Sequence, residues 1–404
     1  MLFQPYAKLV KFAFANKTKN TMIYLDNAAT SIRPQSVIDK WVDMSVRHNA
    51  NIHRAVHQLA VEATDEFESA RDEVRRFINA ADRKEIVFTS GTTASINLLA
   101  YSFGEAFVGP GDEIVVTEAE HHSNIVPWQM MCERKGASIK VLGVDERGYL
   151  KISDLKSLIS VRTKLVCVAH ISNVLGIVNP IKEIVTICHS MGCPVFTDGA
   201  QGIVHEQVDV SDLGCDFYAF SGHKMYAAPG TGVLYGRQEY LEQMPPFMGG
   251  GEMIDTVRFT GTTYAPLPAK FEAGTQNIAG VPTFKPAIEY LEKMREKDPR
   301  KELVAYVLEK LRSDDRIVIY GDPKDNDDKI PLFSFSVKGA HHEDLALILD
   351  KMGIAVRSGQ MCAEPLMDRF GVTGMLRASF SADNTMEEAA EFVKCLHKAI
   401  DMLV

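Results

Sequence analysis

Asp198 and Lys224 each follow a short apolar run, and their types suggest one piece of chemistry. Pro194-Val195-Phe196 runs into Thr197 and Asp198, and Asp216-Phe-Tyr-Ala-Phe220 runs into Ser221, His223 and Lys224. Short β-branched or aromatic runs ending in small polar residues read as buried parallel strands with a site at their carboxyl ends. A lone carboxylate and a lysine placed there suit pyridoxal phosphate. The lysine forms a Schiff base with the aldehyde, and the carboxylate keeps the pyridine nitrogen protonated so that the ring withdraws electrons. Taken singly, either residue also fits an ordinary strand end with a solvated lysine or a loop-capping aspartate.

Other positions extend the pattern. Gly91-Thr92-Thr93 separates an apolar run at 85–90 from a helical pattern at 94–103. Free N–H groups at a helix start, with two hydroxyls beside them, suit a phosphate. Neither GxxxxGK[ST] nor GxGxxG occurs, so a nucleotide loop is not indicated. His121 follows a strand pattern at 112–117, where an imidazole can stack on a cofactor ring and shuttle protons. Asn173 lies just past the run 165–170, within reach of a ring substituent. Cys362 stands in polar, irregular sequence between Gly359 and Pro365, with Arg357 nearby. A thiol on a mobile loop, able to ionise, is a candidate nucleophile, with an incidental exposed thiol as the plain alternative. Arg377 offers a planar fork for a substrate carboxylate. His53 and His57, four apart, could share a helix face as zinc ligands. No third ligand or nearby acid is positioned as in HExxH, so His48, His53 and His57 read as polar lining of a cleft.

These residues need a scaffold. Strand patterns at 85–90, 112–117, 138–144, 165–170, 194–196, 216–220 and 230–235 are separated largely by helical patterns, which predicts an α/β sheet with right-handed crossovers. Before them come a strand within 22–30, a helix at 31–47 with Pro34 in its first turn, and an amphipathic helix at 62–78. Residues 249–251 and 271–276 look like loops, and 282–297 is helical. A charged break at 296–300 marks a domain boundary. Beyond it, a helix (301–311), strands (316–320, 332–337), a helix (342–352) and a strand (355–357) outline a smaller α+β unit. The expected organisation is an extension (1–21), a large cofactor domain (22–297) whose first residues could pack with the small domain, and a small domain (298–404) carrying the Cys362 loop. The extension has four lysines, no acid and no arginine. An organellar presequence would be richer in Arg and Ser. An amphipathic or loosely ordered extension, or an upstream start with Met22 as second initiator, fits better.

Composition sets outer bounds. With 404 residues, 46% hydrophobic and 24% charged, the chain can bury a large core. A net charge of −9 with no basic stripe argues against nucleic acid as a partner. Seven cysteines without CxxC spacing predict free thiols in a reducing compartment. Cys188, His189 and Cys193 lie in an apolar helical setting that favours buried thiols over a metal knuckle. No apolar run approaches ~18 residues, so no membrane span is expected.

Taken in order, LDNAAT (25–30), SGTT (90–93), EHHSNIVPW (120–128), TDGAQ (197–201), SGHK (221–224) and RSGQMCAEPLM (357–367) resemble the cysteine desulfurases. The likeness is greatest to the SufS-like group, often called group II, which includes selenocysteine lyase-type enzymes. It runs from Met22 almost to the C-terminus. It implies a fold-type-I pyridoxal-phosphate enzyme of the class-V aminotransferase family. The implied architecture is a mainly parallel seven-stranded sheet in a large domain, plus a smaller α+β domain. It also implies a cytoplasmic homodimer with sites at the subunit boundary and no metal. Carried over by position, Lys224 would hold the cofactor, Asp198 the pyridine nitrogen, and His121 would stack and transfer protons. Gln201 would sit near the phenolic oxygen with Asn173 close by. Thr92, Thr93, Ser221 and His223 would hold the phosphate, joined by Thr275 of a neighbouring subunit. Arg377 would bind the substrate carboxylate with Asn173, Arg357 and His53 in support.

Cys362 would then accept sulfur from L-cysteine as a persulfide, leaving L-alanine. The sulfur would pass to a protein acceptor of the SufE/SufU type for iron–sulfur cluster assembly or other delivery. L-Selenocysteine is the alternative substrate. Gln360-Met361 departs from the histidine-containing pair of many relatives, and the basic extension is unmatched. Two rival readings are a kynureninase-like or epimerase-like enzyme, which needs no Cys362, and a catalytically silent scaffold, which needs no Asp198, His121, Lys224 and Arg377.

Overall fold

The computed structural model describes residues 22–54, 56–296, 300–323 and 328–404. The extension expected at 1–21 and the boundary expected at 297/298 lie outside the described residues. In chain order the strands are β1 (Ile23–Tyr24), β2 (Ile86–Thr89), β3 (Glu113–Thr117), β4 (Ser138–Leu142), β5 (Thr163–Ala169), β6 (Val195–Asp198), β7 (Phe217–Ser221), β8 (Gly232–Gly236), β9 (Ile254–Arg258) and β10 (Gly261–Tyr264). They continue with β11 (Ile317–Tyr320), β12 (Leu332–Val337), β13 (Ile354–Ala355), β14 (Arg357–Gly359) and β15 (Met375–Ser379).

A seven-stranded sheet runs in the order β2-β8-β7-β6-β5-β3-β4. β8 is antiparallel to both neighbours and the remaining pairs are parallel. Side chains alternate across a strand, and here both faces are covered. Leu165 and Cys167 of β5 and Phe217 and Ala219 of β7 pack into one core, with Phe103 and Trp128 of flanking helices. Val166, Val168, Tyr218 and Phe220 pack into the other, with Phe67 and Phe284. That is why these strands read as unbroken apolar runs. Parallel register aligns Ala169 with Asp198 and Asp198 with Ala219, so β5, β6 and β7 end at one level. Polar residues just beyond that level face a common crevice.

The second sheet, β11-β12-β15-β14, is wholly antiparallel. The helices Arg300–Arg312, His342–Lys351 and Met386–Leu403 share its separate core, with Leu308, Phe333, Leu349 and Phe392 among the members. β1 pairs in parallel with β13, and Leu25 is buried in this second core. The first described residues therefore belong physically with the last hundred.

Several elements differ from expectation. His57 is not on a helix face with His53: it caps the helix Gln58–Phe77, its Nδ1 accepting from Ala60 N at 3.2 Å. Pro34 is the N-cap of the helix Gln35–Val46 rather than part of its first turn. The β9–β10 hairpin has almost wholly exposed residues and therefore no apolar alternation to betray it. The C-terminal helix did carry a signal, Thr385 and Glu388 in a capping box ahead of an amphipathic run.

Candidate active site

Every expected site residue except Thr275 and His53 lines one cavity of about 290 Å³ at the carboxyl ends of the parallel strands. The second sheet lines it with Arg357 and Arg377, and the loop after β14 with Met361 and Cys362.

Thr92, Thr93, Ser221 and His223 line one part of the cavity, where a helix begins. Gly91 has φ 147° and precedes the helix Thr92–Phe107. Thr92 N donates to Ser221 Oγ at 2.8 Å, and the Thr92 and Ser221 hydroxyls are 2.7 Å apart. A Cβ at Gly91 would come to 3.3 Å from Ser221 Oγ, so glycine keeps this cradle open. Thr93 Oγ1 lies 2.7 Å from Ser123 Oγ. His223 is held to about 4 by burial, with Lys224 and Arg33 adding to the effect, so its ring is neutral at pH 7.

Deeper in, Asp198 is buried and accepts one hydrogen bond, from Ala200 N at 2.9 Å. Burial raises its pKa, against the pull of that hydrogen bond and of Lys224. Lys224 is pushed below the ordinary lysine value by burial first, opposed by Asp198 and helped by Arg377. No hydrogen bond or ion pair among the described residues engages its Nζ. A lysine so placed is easily deprotonated and free to act as a nucleophile or base. Gln201 is buried and tied to Ala28 O through Nε2 at 2.8 Å.

His121 is held to about 4, chiefly by burial, then by Lys224, His122 and Arg377. Its Nδ1 accepts from Ser123 N at 3.0 Å, which assigns the ring proton to Nε2. Behind it Glu120 is fully buried and accepts from Thr117 Oγ1, Asn124 Nδ2 and Ala169 N at 2.6, 2.7 and 2.9 Å. Asn124 in turn accepts from Trp128 Nε1 at 2.8 Å. This network seats the turn that carries His121. Burial lifts Glu120 to about 7 despite its three donors.

Arg377, on β15, is 2% exposed. Nη1 donates to Asn173 O at 2.8 Å and Nη2 to Asp26 Oδ1 at 2.9 Å, while Nε is buried without a partner among the described residues. Asp26 Oδ2 also accepts from Arg357 Nη1 at 3.1 Å. Asp26 escapes the sequence pattern. Its only signal is a charge directly after an apolar triplet in LDNAAT, and its two arginine partners are more than 300 residues away in the chain. Asn173 also donates from Nδ2 to Met361 O at 2.8 Å, linking the arginine to the cysteine loop. Cys362 is the single exposed cysteine; the other six are buried.

Two expected residues stand elsewhere. His53 is no part of the cavity: its Nε2 pairs with Glu68 at 3.0 Å and its ring lies edge-on to Phe67. Glu68 is half-buried and also pairs with the buried Arg71, which in turn holds the buried Glu272. Thr275 lines a different recess, with Phe88, Ser90 and Phe247. Cys188 and Cys193 are buried, and His189 pairs with Asp216 at 2.9 Å. No group of three or more metal-ligating side chains occurs among the described residues.

The donor set fits a phosphorylated pyridine aldehyde. An anion cradle, a partnerless amine, a buried carboxyl with one hydrogen bond and a flat neutral imidazole all line one cavity. The buried, unpaired Arg377 Nε adds a donor for a carboxylate on a second ligand.

The description "Aminotransferase class-V" matches residues 23–392. A probable cysteine desulfurase of Vibrio cholerae is 44% identical over 387 residues, covering 95% of each chain. One from Halalkalibacterium halodurans is 46% identical over 380 residues, covering 93% of each. Among solved structures, the cysteine desulfurase CsdA of Escherichia coli, in its S-sulfonic acid form, superposes with a TM-score of 0.88 at 37% identity. That match spans 96% of this chain and 97% of the other.

Proposed function

The chain belongs to the class-V aminotransferase family, among its cysteine desulfurases, and on that premise we propose how its own residues take sulfur from L-cysteine. The observation that carries the proposal is the exposed Cys362 thiol on the same cavity as Lys224 and Asp198. When bound, pyridoxal phosphate supplies an electron sink that acidifies the substrate Cα–H. Lys224 is the residue that would carry it, Asp198 would hold its ring nitrogen, and Gln201 its phenolic oxygen with Asn173 close by. Thr92, Thr93, Ser221 and His223 would hold its phosphate. Thr275 would join them from a second copy of the chain, since it opens on a different recess of its own.

Arg377 would accept the substrate carboxylate at Nε, with Asn173 and Arg357 fixing the guanidinium and the charge around it. Lys224, its basicity lowered by burial, is the base that would take the Cα proton at Nζ. His121, neutral with its proton on Nε2, stacks and serves proton transfer. The Cys362 thiolate then attacks the substrate sulfur. An S–S bond forms as the C–S bond breaks, and the carbon keeps the electron pair. Overall, one cysteine thiol and one L-cysteine become one persulfide and one L-alanine, with no external oxidant. A reacting distance of ~3–3.5 Å is needed at that moment.

The division into a large unit (22–297) and a small unit (298–404) is part of the same proposal, as are homodimerisation and passage of the persulfide sulfur to a SufE/SufU-type protein. Work in a reducing cytoplasm belongs to the proposal too, and the seven free thiols suit it. The test is Cys362→Ser in the holoenzyme. Alanine and sulfide production from L-cysteine should vanish, while the visible absorption of the bound cofactor and its change on adding L-cysteine persist. Undiminished desulfuration would sink the assignment. Elimination from L-selenocysteine that survives the substitution would instead favour selenium.

A further inference from the structure

Met361 and Cys362 are consecutive residues with side chains, and both have left-handed backbones, φ 54° and 56°. Each such residue costs roughly 1–2 kcal/mol. A strained turn of this kind persists only where its surroundings over-determine it. Inside the turn, Ala363 N donates to Gln360 O at 3.0 Å. From outside, Asn173 Nδ2 holds Met361 O at 2.8 Å. The remaining two outside contacts come from one residue. His122 N donates to Cys362 O at 2.7 Å, and its ring Nε2 accepts from Glu364 N at 3.0 Å. His122 thus grips the main chain on both sides of Ala363, although it does not line the cavity itself. It directly follows His121 in the same turn, which the Glu120 network seats.

We propose that His122 is a positioning residue that clamps the Cys362 turn through its own N–H and ring Nε2, holding the thiol at the cavity mouth in register with His121. The proposal rests on Cys362 being the sulfur-accepting nucleophile. The ring contact needs an acceptor lone pair at Nε2, which a neutral imidazole protonated at Nδ1 provides. Glutamine offers an amide oxygen at a similar reach. Leucine offers none, while leaving the His122 N–H contact of the main chain in place.

The experiment compares His122→Leu and His122→Gln holoenzymes by amide exchange at Glu364, iodoacetamide alkylation of Cys362, and steady-state kinetics with L-cysteine. Loss of one neutral hydrogen bond corresponds to roughly 2- to 13-fold. The leucine variant should show Glu364 exchange faster by that factor and an altered alkylation rate. Its kcat should fall by a similar factor with KM nearly unchanged, and the glutamine variant should stay near wild type in all three. His122→Ala carries the leucine expectation if the leucine variant does not fold. Unchanged Glu364 exchange in the leucine or alanine variant overturns the clamp, whatever happens to activity. So does a glutamine variant as impaired as leucine. If wild type yields no alanine from L-cysteine yet exchange responds as expected, the desulfurase reading fails and the clamp stands.

Discussion

Replacing Arg377 with lysine tests the substrate end of the cavity most directly. Arginine occupies Asn173 O with Nη1 and Asp26 with Nη2, leaving Nε as a buried donor for a substrate carboxylate. A lysine keeps the charge but presents a single ammonium on a flexible stem, which cannot hold both protein acceptors and also point a donor inward. A charge-assisted hydrogen bond contributes about 1.5–3 kcal/mol, so its loss corresponds to roughly 10- to 150-fold in affinity. Asp26 keeps Arg357 as a partner, which limits the structural cost to the order of 1–3 kcal/mol. The expected result is a KM for L-cysteine raised by that factor with kcat within about threefold, because the contact is made equally in the ground and transition states. Cysteamine, which has no carboxylate, supplies the control: its rate should be nearly the same in both enzymes. Steady-state alanine or amine-product formation, with thermal unfolding run in parallel, measures both. A KM within about twofold of wild type, in a folded variant, would refute the placement of the carboxylate at Arg377.

Two other outcomes follow from the packing and the buried charges. A Cβ at Gly232 would fall on the Gly91 backbone, with Gly91 N at 2.6 Å and C at 2.8 Å. Gly232→Ala should therefore cost about 1–3 kcal/mol and loosen the phosphate cradle, seen as a lower unfolding midpoint and faster cofactor loss on dialysis; unchanged values would argue against the cradle. His170 is buried against the Tyr218 hydroxyl at 2.9 Å, and burial depresses it to about 4. Between the unfolded value near 6.5 and that depressed value, the unfolded chain binds a proton that the folded one excludes. Its contribution to stability is thus full above about pH 6.5 and lost as pH falls toward 4, by up to about 3 kcal/mol. The unfolding free energy of His170→Gln should gain on wild type by about that amount from pH 7 to pH 4, and parallel profiles would refute the assignment.

Much of this site can be read from residue types and order. Buried strands need unbroken apolar runs, so their polar terminations at Asp198 and Ser221 stand out. A helix beginning with Gly-Thr-Thr announces an anion cradle for the same local reason. The hairpin β9–β10 leaves no such trace because solvent on both faces imposes no period.

What the sequence determined by itself, then, is local: strand identity, helix starts, the types of the reactive groups, and through ordered motifs the family. Tertiary structure alone decided the partnerships between distant segments. Asp26 meets Arg357 and Arg377 because β1 adds to β13 and carries the chain's beginning into the second core. His53 stands outside the cavity, paired with the half-buried Glu68, a partnership that no periodicity encodes. The strained Cys362 turn likewise has its cause elsewhere. Asn173 and His122, on loops beyond β5 and β3, hold its carbonyls, so a cysteine that reads as one thiol in a polar loop is fixed beside the cavity. Such contacts depend on where separate elements dock, and docking is set by the sum of two cores rather than by any stretch of chain.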